Sequence, residues 1–192
     1  MTKRTGKFLA TAAATALLMA SLNACATATT EMGHDDHMSD SAAAGFSGDD
    51  IMFAQMMIPH HQQAVDMGTL AETRATNPEV KAIAAQIKAE QAPEIEQMKK
   101  WLTDPAASSH MGHSMNMDGM LSEAEMTALE NATGAEFDRL FVQGMIAHHE
   151  GAIEMAQMIL NSKNAEAKAL GESIVKSQTA EVVILKQLLA KL

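Results

Sequence analysis

Two stretches of this sequence are near copies: QMMIPHHQQAVDM from Gln55 to Met67, and QGMIAHHEGAIEM from Gln143 to Met155. A shift of 88 residues carries His60 and His61 onto His148 and His149. Paired imidazoles among thioethers suit one kind of chemistry. Soft sulfur with borderline nitrogen selects Cu(I), and to a lesser degree Ag(I), over hard cations such as Mg²⁺ or Ca²⁺. At about 100° per residue, Met52, Met56, His60, Gln63 and Met67 share one helical sector, which puts His60 in the middle of a buried face. Leu140, Gly144, His148, Met155 and Met158 form the matching sector of the second copy. His61 and His149 lie about 100° round, on flanks shared with Met57 and Met145 four residues away. Methionine stripes ordinarily fill cores and a lone buried histidine is ordinarily just hydrogen-bonded. Four histidines in two matching pairs, surrounded by sulfur, ask for a partner that such an interior otherwise lacks.

The same residue types recur where no apolar periodicity suggests a core. One group is His34, His37, Met32 and Met38 in EMGHDDHM; another is His110, Met111, His113, Met115, Met117 and Met120 in HMGHSMNMDGM. An exposed segment has no interior to fill, so these read as further copper ligands. Iron is the competing metal for a helical bundle, but carboxylate-bridged di-iron sites use Glu-x-x-His on two helices. The one match is Glu31 to His34, outside any predicted helix. Asp66, Glu94, Glu154 and Glu181 recur at repeat positions and are expected to partner histidine or lysine across helices, or to face solvent.

The elements that must hold these groups also come in two copies. The shift of 88 relates Asp50, Phe53, Gln55 and Met57 to Asp138, Phe141, Gln143 and Met145, whereas a shift of 87 relates Asn77, Gln91, Glu94 and Leu102 to Asn164, Gln178, Glu181 and Leu189. Each copy is therefore a helical hairpin, and the change of shift predicts a connecting turn one residue shorter in the second. Asn77 before Pro78 and Glu79, and Asn164 before Glu166, read as N-caps. Ser122 with Glu125, and Thr133 with Glu136, read as capping boxes. Pro59 and Pro93 fall inside predicted helices and should kink or loosen them. Two such hairpins predict an all-α, four-helix bundle with a short extra helix in its central crossover. The expected order is a hairpin over 47–102, a His/Met-rich loop and short helix over 103–132, and a hairpin over 133–192.

Composition agrees with helices: 47% of residues are hydrophobic but only 3% are aromatic, and 17 are Met. Lys3, Arg4 and Lys7 precede an apolar run from Phe8 to about Leu22, too short to span a bilayer comfortably, which reads as a secretion signal over 1–24. Leu22-Asn23-Ala24-Cys25 resembles a bacterial lipobox, so Cys25 is the expected lipidation site, followed by a flexible tether to residue 46. With the single cysteine acylated, no thiol remains, which suits an oxidising compartment. Loss of 1–24 leaves 11 basic residues against 24 acidic, a formal charge of −13. That excess argues against nucleic acid as a partner.

The doubled MI-x-HH-x-x-A-[VI]-[DE]-M motif, the Gln-x-x-Glu of each hairpin's second helix, and LSEAEMTALENATGAEFDRLFVQGMIAHHEGAIEMA resemble the domain of unknown function 305 family over roughly residues 46–192. The resemblance implies a ferritin-like fold and secreted or periplasmic copper binding through His60, His61, His148, His149 and nearby methionines, associated with copper tolerance. Gly144 stands where the first copy has Met56, a departure from a symmetrical pair of sites. The expected function is that of a lipid-anchored extracytoplasmic protein, in periplasm or at the cell surface, that sequesters or hands on Cu(I) without turnover. Such a role calls for a copper-transport or copper-accepting protein as partner. Two other readings use the same residues: a copper- or iron-dependent oxidoreductase, and a metal-free interaction bundle.

Overall fold

A computed structural model describes residues 45–103 and 117–192. The expected signal, Cys25, the tether with His34 and His37, and His110, Met111, His113 and Met115 lie outside the described residues. Helix α1 spans Gly48–Arg74 and α2 spans Pro78–Trp101; α3 is the short Glu123–Asn131; α4 spans Gly134–Ala156 and α5 spans Ala165–Leu189. Among the described residues all regular structure is helical, and no helix is long and apolar enough to cross a membrane.

Local chemistry accounts for most boundaries. Ser47 and Asp50 form a capping box at the start of α1, and Ser122 and Glu125 form one at α3. Asn77 and Asn164 each accept two backbone N–H groups at the starts of α2 and α5. The box expected at Thr133 is absent: Gly134, the first residue of α4, takes φ +64°, and the threonine makes no side-chain cap. Both α1 and α2 run through their prolines, whose rings lie on exposed faces. The connection in the second hairpin is longer, not shorter. There the α-helix ends at Ala156 and continues as a 3-10 turn, Gln157–Ile159. A 3-10 turn rises more per residue than an α-helix, so one residue fewer covers the distance.

The long helices α1, α2, α4 and α5 form the bundle, with α1 against α2, α4 against α5, and α1 against α4. Within each hairpin the arms meet at a glycine, but on opposite arms. Gly68 of α1 lies against Ala84, whereas Gly171 of α5 lies against Ala156 and Ile159, where a Cβ would come within 2.8 Å of Ile159 Cγ1. The hairpins are antiparallel to one another and clasp reciprocally. Asp138 near the start of α4 accepts from Thr76 N, Thr76 Oγ1 and Asn77 N in the first hairpin's turn. Asp50 near the start of α1 accepts from Ser162 Oγ in the second hairpin's turn at 3.0 Å. Because α2 ends at one end of the bundle and α4 begins at the other, the two hairpins are joined lengthwise. This is the single long crossover of ferritin-like bundles.

The core is divided along its length. Phe46, Phe53, Met57, Met98, Trp101, Met155 and Ile174 belong to one apolar cluster. Met67, Ile83, Ile87, Phe137, Phe141, Met145 and Leu185 belong to the other. Between them, on all four long helices, the interior is polar.

Candidate metal centre

The polar layer consists of His60 and His61 from α1, Gln91 and Glu94 from α2, His148 and His149 from α4, and Gln178 and Glu181 from α5. All are buried except Glu94, which is partly so. The wheel that centred the buried face of α1 on His60 needs correcting. Phe53, Met57, His60, His61 and Ala64 are fully buried while Met52, Met56 and Gln63 are half-exposed, so the face is centred between the two histidines. The reason is that α1 packs on two neighbours, and a helix with two neighbours buries more than one sector. The two histidines of each pair thus differ in direction rather than in burial.

His61 and His149 point into their own hairpins. His61 Nε2 lies 2.8 Å from Glu94 Oε2, and His149 Nε2 lies 2.8 Å from Glu181 Oε2. A carboxylate accepts from Nε2–H, which leaves the lone pair on Nδ1. His60 and His148 instead meet across the seam between hairpins, with ring centroids 3.8 Å apart and planes 40° from parallel. His148 Nε2–H donates to the His60 carbonyl at 2.9 Å, so its free lone pair is also on Nδ1. Burial, and then the neighbouring His61, pushes the His60 imidazole from the usual 6.5 down to about 3. The Asp118 backbone pulls weakly the other way but is not aligned as a hydrogen bond, since neither ring nitrogen of His60 has a partner. His148 is held well below 6.5 by burial first and by His60 second. At neutral pH both rings are neutral and both can donate electron pairs.

The result is a set of buried polar atoms without partners in the protein, imidazole lone pairs among them. Among the described residues, ten buried side-chain N or O atoms lack a partner, and only Asp50 Oδ1 lies outside this layer. The others include Nδ1 of all four histidines, Nε2 of His60, and both amide atoms of Gln91 and Gln178. Buried polar groups in native proteins are nearly always satisfied, by protein, water or a ligand. Among the described residues no three His, Cys, Asp or Glu side chains form a preformed cage. What the layer offers is imidazole nitrogens in pairs, bordered by thioethers. Such a set suits a soft monovalent ion of low coordination number better than Mg²⁺ or Ca²⁺, which require six or more oxygens.

The remaining candidate ligands divide into two groups. Met57 is fully buried in the first apolar cluster, and Met67 and Met145 are fully buried in the second, where they serve as packing. Met56, Met117 and Met155 line a cavity open to solvent, and Met120 lies in a groove with Leu121 and Leu129. Asp66 bonds Gln62 on the exposed face of α1, and Glu154 is exposed. Sequence reasoning found Glu94 and Glu181 as interhelical partners. It missed the crossover, which lies directly over the layer. Gln63 clamps Leu121 through both its amide atoms, at 2.9 and 2.8 Å. Gly119 and Gly151 meet backbone to backbone, and a Cβ on Gly151 would fall 2.0 Å from Asp118 O. The signal available was Gly151 standing where the first copy has Gln63.

Comparison with known proteins places the chain. The family model described as "Domain of unknown function (DUF305)" matches residues 50–189. This chain belongs to the DUF305 family. A DUF305 structure from Streptomyces coelicolor, described as a secreted-protein candidate, is 33% identical with a TM-score of 0.65, covering 74% of this chain and 93% of that one. A DUF305 fragment from Deinococcus radiodurans is 29% identical with a TM-score of 0.67, covering 75% and 97%. CopM in its Cu(I)-bound form is 36% identical with a TM-score of 0.59, covering 72% and 93%. CopM is also known in Cu(II)-bound, Ag-bound and apo forms. No curated protein matches.

Proposed function

We propose that this DUF305 protein holds monovalent copper, or silver in its place, on imidazole nitrogens of the buried polar layer, and that it stores or hands on the ion without catalytic turnover. The observation that carries this reading is the shared tautomer. His61, His148 and His149 each have Nε2–H engaged by a protein acceptor and a buried Nδ1 without a partner in the protein. A histidine whose second nitrogen is anchored by carboxylate or carbonyl is oriented as metal-ligating histidines are. Burial supplies the other requirement, since a neutral ring needs no deprotonation before it binds. The copper- and silver-bound forms of CopM support the choice of ion. Cys25, acylated after removal of residues 1–24, would keep the bundle at a membrane surface facing an oxidising compartment, where thioether and imidazole remain usable as ligands. A tether and a His/Met-rich crossover loop would gather copper for it.

Titration of the protein lacking residues 1–25 with Cu(I), against a competing chelator, tests the reading. The wild-type bundle is expected to retain tightly held copper that the quadruple variant His60→Phe, His61→Phe, His148→Phe and His149→Phe does not. Equal retention by both would place the copper outside the layer and end the reading.

A further inference from the structure

Where the crossover re-enters the described chain, it borders a cavity of about 270 Å³ lined by Met56 of α1, Met117 of the crossover, Met155 of α4 and Met158 of the 3-10 turn that follows α4. Three of the four are half-buried, and Glu154 stands at the rim. Methionine is a common gap-filler, so its identity here needs an internal control. The same apolar cluster provides one. The partly buried hydrophobics packed against it are Met56, Met117, Met158, Ile58, Leu102 and Val175. The three that line this cavity are all methionine, and the three that do not are Ile, Leu and Val. Packing alone treats these positions alike; a need for sulfur does not.

The repeat sharpens the point. The shift of 88 relates Met56 to Gly144, and Met158 to Leu70. Among the described residues the pseudo-symmetric position therefore lacks two of these sulfurs, and Gly144 is covered there by the Leu121 side chain. Among the described residues, thioethers from separate segments line this cavity, where the crossover brings Met117. The cavity also adjoins the histidine layer. Met56 precedes His60 by four residues, on the same helical face, and Gly151, on the cavity wall, follows His148 by three. Asp118, which lies against His60, borders both.

We propose that Met56, Met117, Met155 and Met158 form a second, solvent-reachable site for Cu(I) or Ag(I), and that it passes the ion inward to the imidazoles. Thioether sulfur prefers such ions, and the Glu154 carboxylate offsets their charge. In the transfer the ion keeps its charge and exchanges sulfur for nitrogen; no electron or proton moves. The transfer rests on the reading of the histidine layer given above, whereas the thioether site does not.

The test is a titration of the full chain with silver(I), which is redox-inert, followed by NMR of methionine ε-methyl and histidine ring-nitrogen signals. Methyls are assigned from the single variants Met56→Leu, Met117→Leu and Met158→Leu, which conserve volume. At less than one equivalent, the methyls of these three residues should shift before the ring nitrogens do. The triple Leu variant should bind one silver fewer per chain and load its histidines more slowly. If the ring nitrogens respond while these methyls stay still, the thioether site is wrong and the histidine reading stands. If the methyls respond and the ring nitrogens never do, the histidine reading and the transfer both fail while the site survives. Unaltered loading in the triple variant would overturn the transfer even with the methyls shifted. The wild-type titration depends on no substitution, so a folding defect in a variant leaves it intact.

Discussion

In α1, Met56 and Gln63 stand one turn to either side of the histidine pair; in α4 the equivalent positions are Gly144 and Gly151. At the histidines the two hairpins are alike down to the 2.8 Å contacts with Glu94 and Glu181. At Met56 against Gly144 and Gln63 against Gly151 they part. The difference teaches how a crossover acts on a duplicated core. A single connecting segment can pass over only one seam, so one helix must grip it while the other makes room. Gln63 grips through its amide, and the glycines of α4 admit Leu121 and the Asp118–Gly119 backbone. The histidine layer keeps the repeat because the carboxylate partners of His61 and His149 come from within each hairpin.

Removing one histidine from each hairpin should show how far the likeness extends. The Glu181 side chain is 4% exposed and that of Glu94 is 17% exposed. His149→Phe strands a carboxylate with little access to water and should cost about 4 kcal/mol, whereas His61→Phe, with a wetter partner, should cost about half that. Denaturant unfolding of the metal-free variants measures both, and equal losses would mean that the two hairpins are energetically as well as geometrically equivalent.

The glycines probe the unlike part. Gly151→Ala drives a Cβ into backbone that cannot yield without lifting the crossover, and should cost about 3 kcal/mol. Gly144→Ala meets Leu121 Cδ2 at 3.0 Å, the far end of a movable side chain, and should cost under about 1 kcal/mol. Thermal melts of the two variants, with hydrogen exchange at residues 117–121, would separate these outcomes.

The seam where the hairpins meet should respond to acid. Folded His60 takes a proton only near pH 3, whereas in the unfolded chain it does so near 6.5. Below 6.5 the unfolded state binds more protons, so stability falls as pH falls, with no corresponding change above neutrality. At pH 5 the loss from His60 alone is about 2 kcal/mol, and His148 adds to it in the same direction. Unfolding curves for wild type and for His60→Phe at pH 7.5 and pH 5 check this: the variant should lose less stability on acidification.

What could be read from the sequence was local or periodic. The caps at Asn77, Asn164 and Ser122 are contacts between a side chain and backbone a few residues on, and the hairpin repeat is a matter of register. Glu94 and Glu181 were visible because a hairpin brings them beside the histidines whatever else the chain does. The turn of the second hairpin was misread because a one-residue deletion does not say whether a loop shortened or a helix end wound more tightly. The docking of the crossover could not be read, since it depends on backbone meeting backbone at Gly119 and Gly151, where side-chain patterns carry no information. The thioether cavity escaped for a related reason: Met56, Met155 and Met158 were in view, but only the path of the crossover joins Met117 to them.

The reciprocal clasps of Asp50 and Asp138 give the bundle the character of a two-fold dimer whose subunits happen to be joined. Each hairpin presents to the other an aspartate, a turn and an imidazole at matching places, the near self-complementarity of an isologous interface. Neither half can complete its own turn or cover its own seam. A chain cut within its crossover therefore retains every contact that recognises one half by the other, and its two fragments are complementary partners in trans.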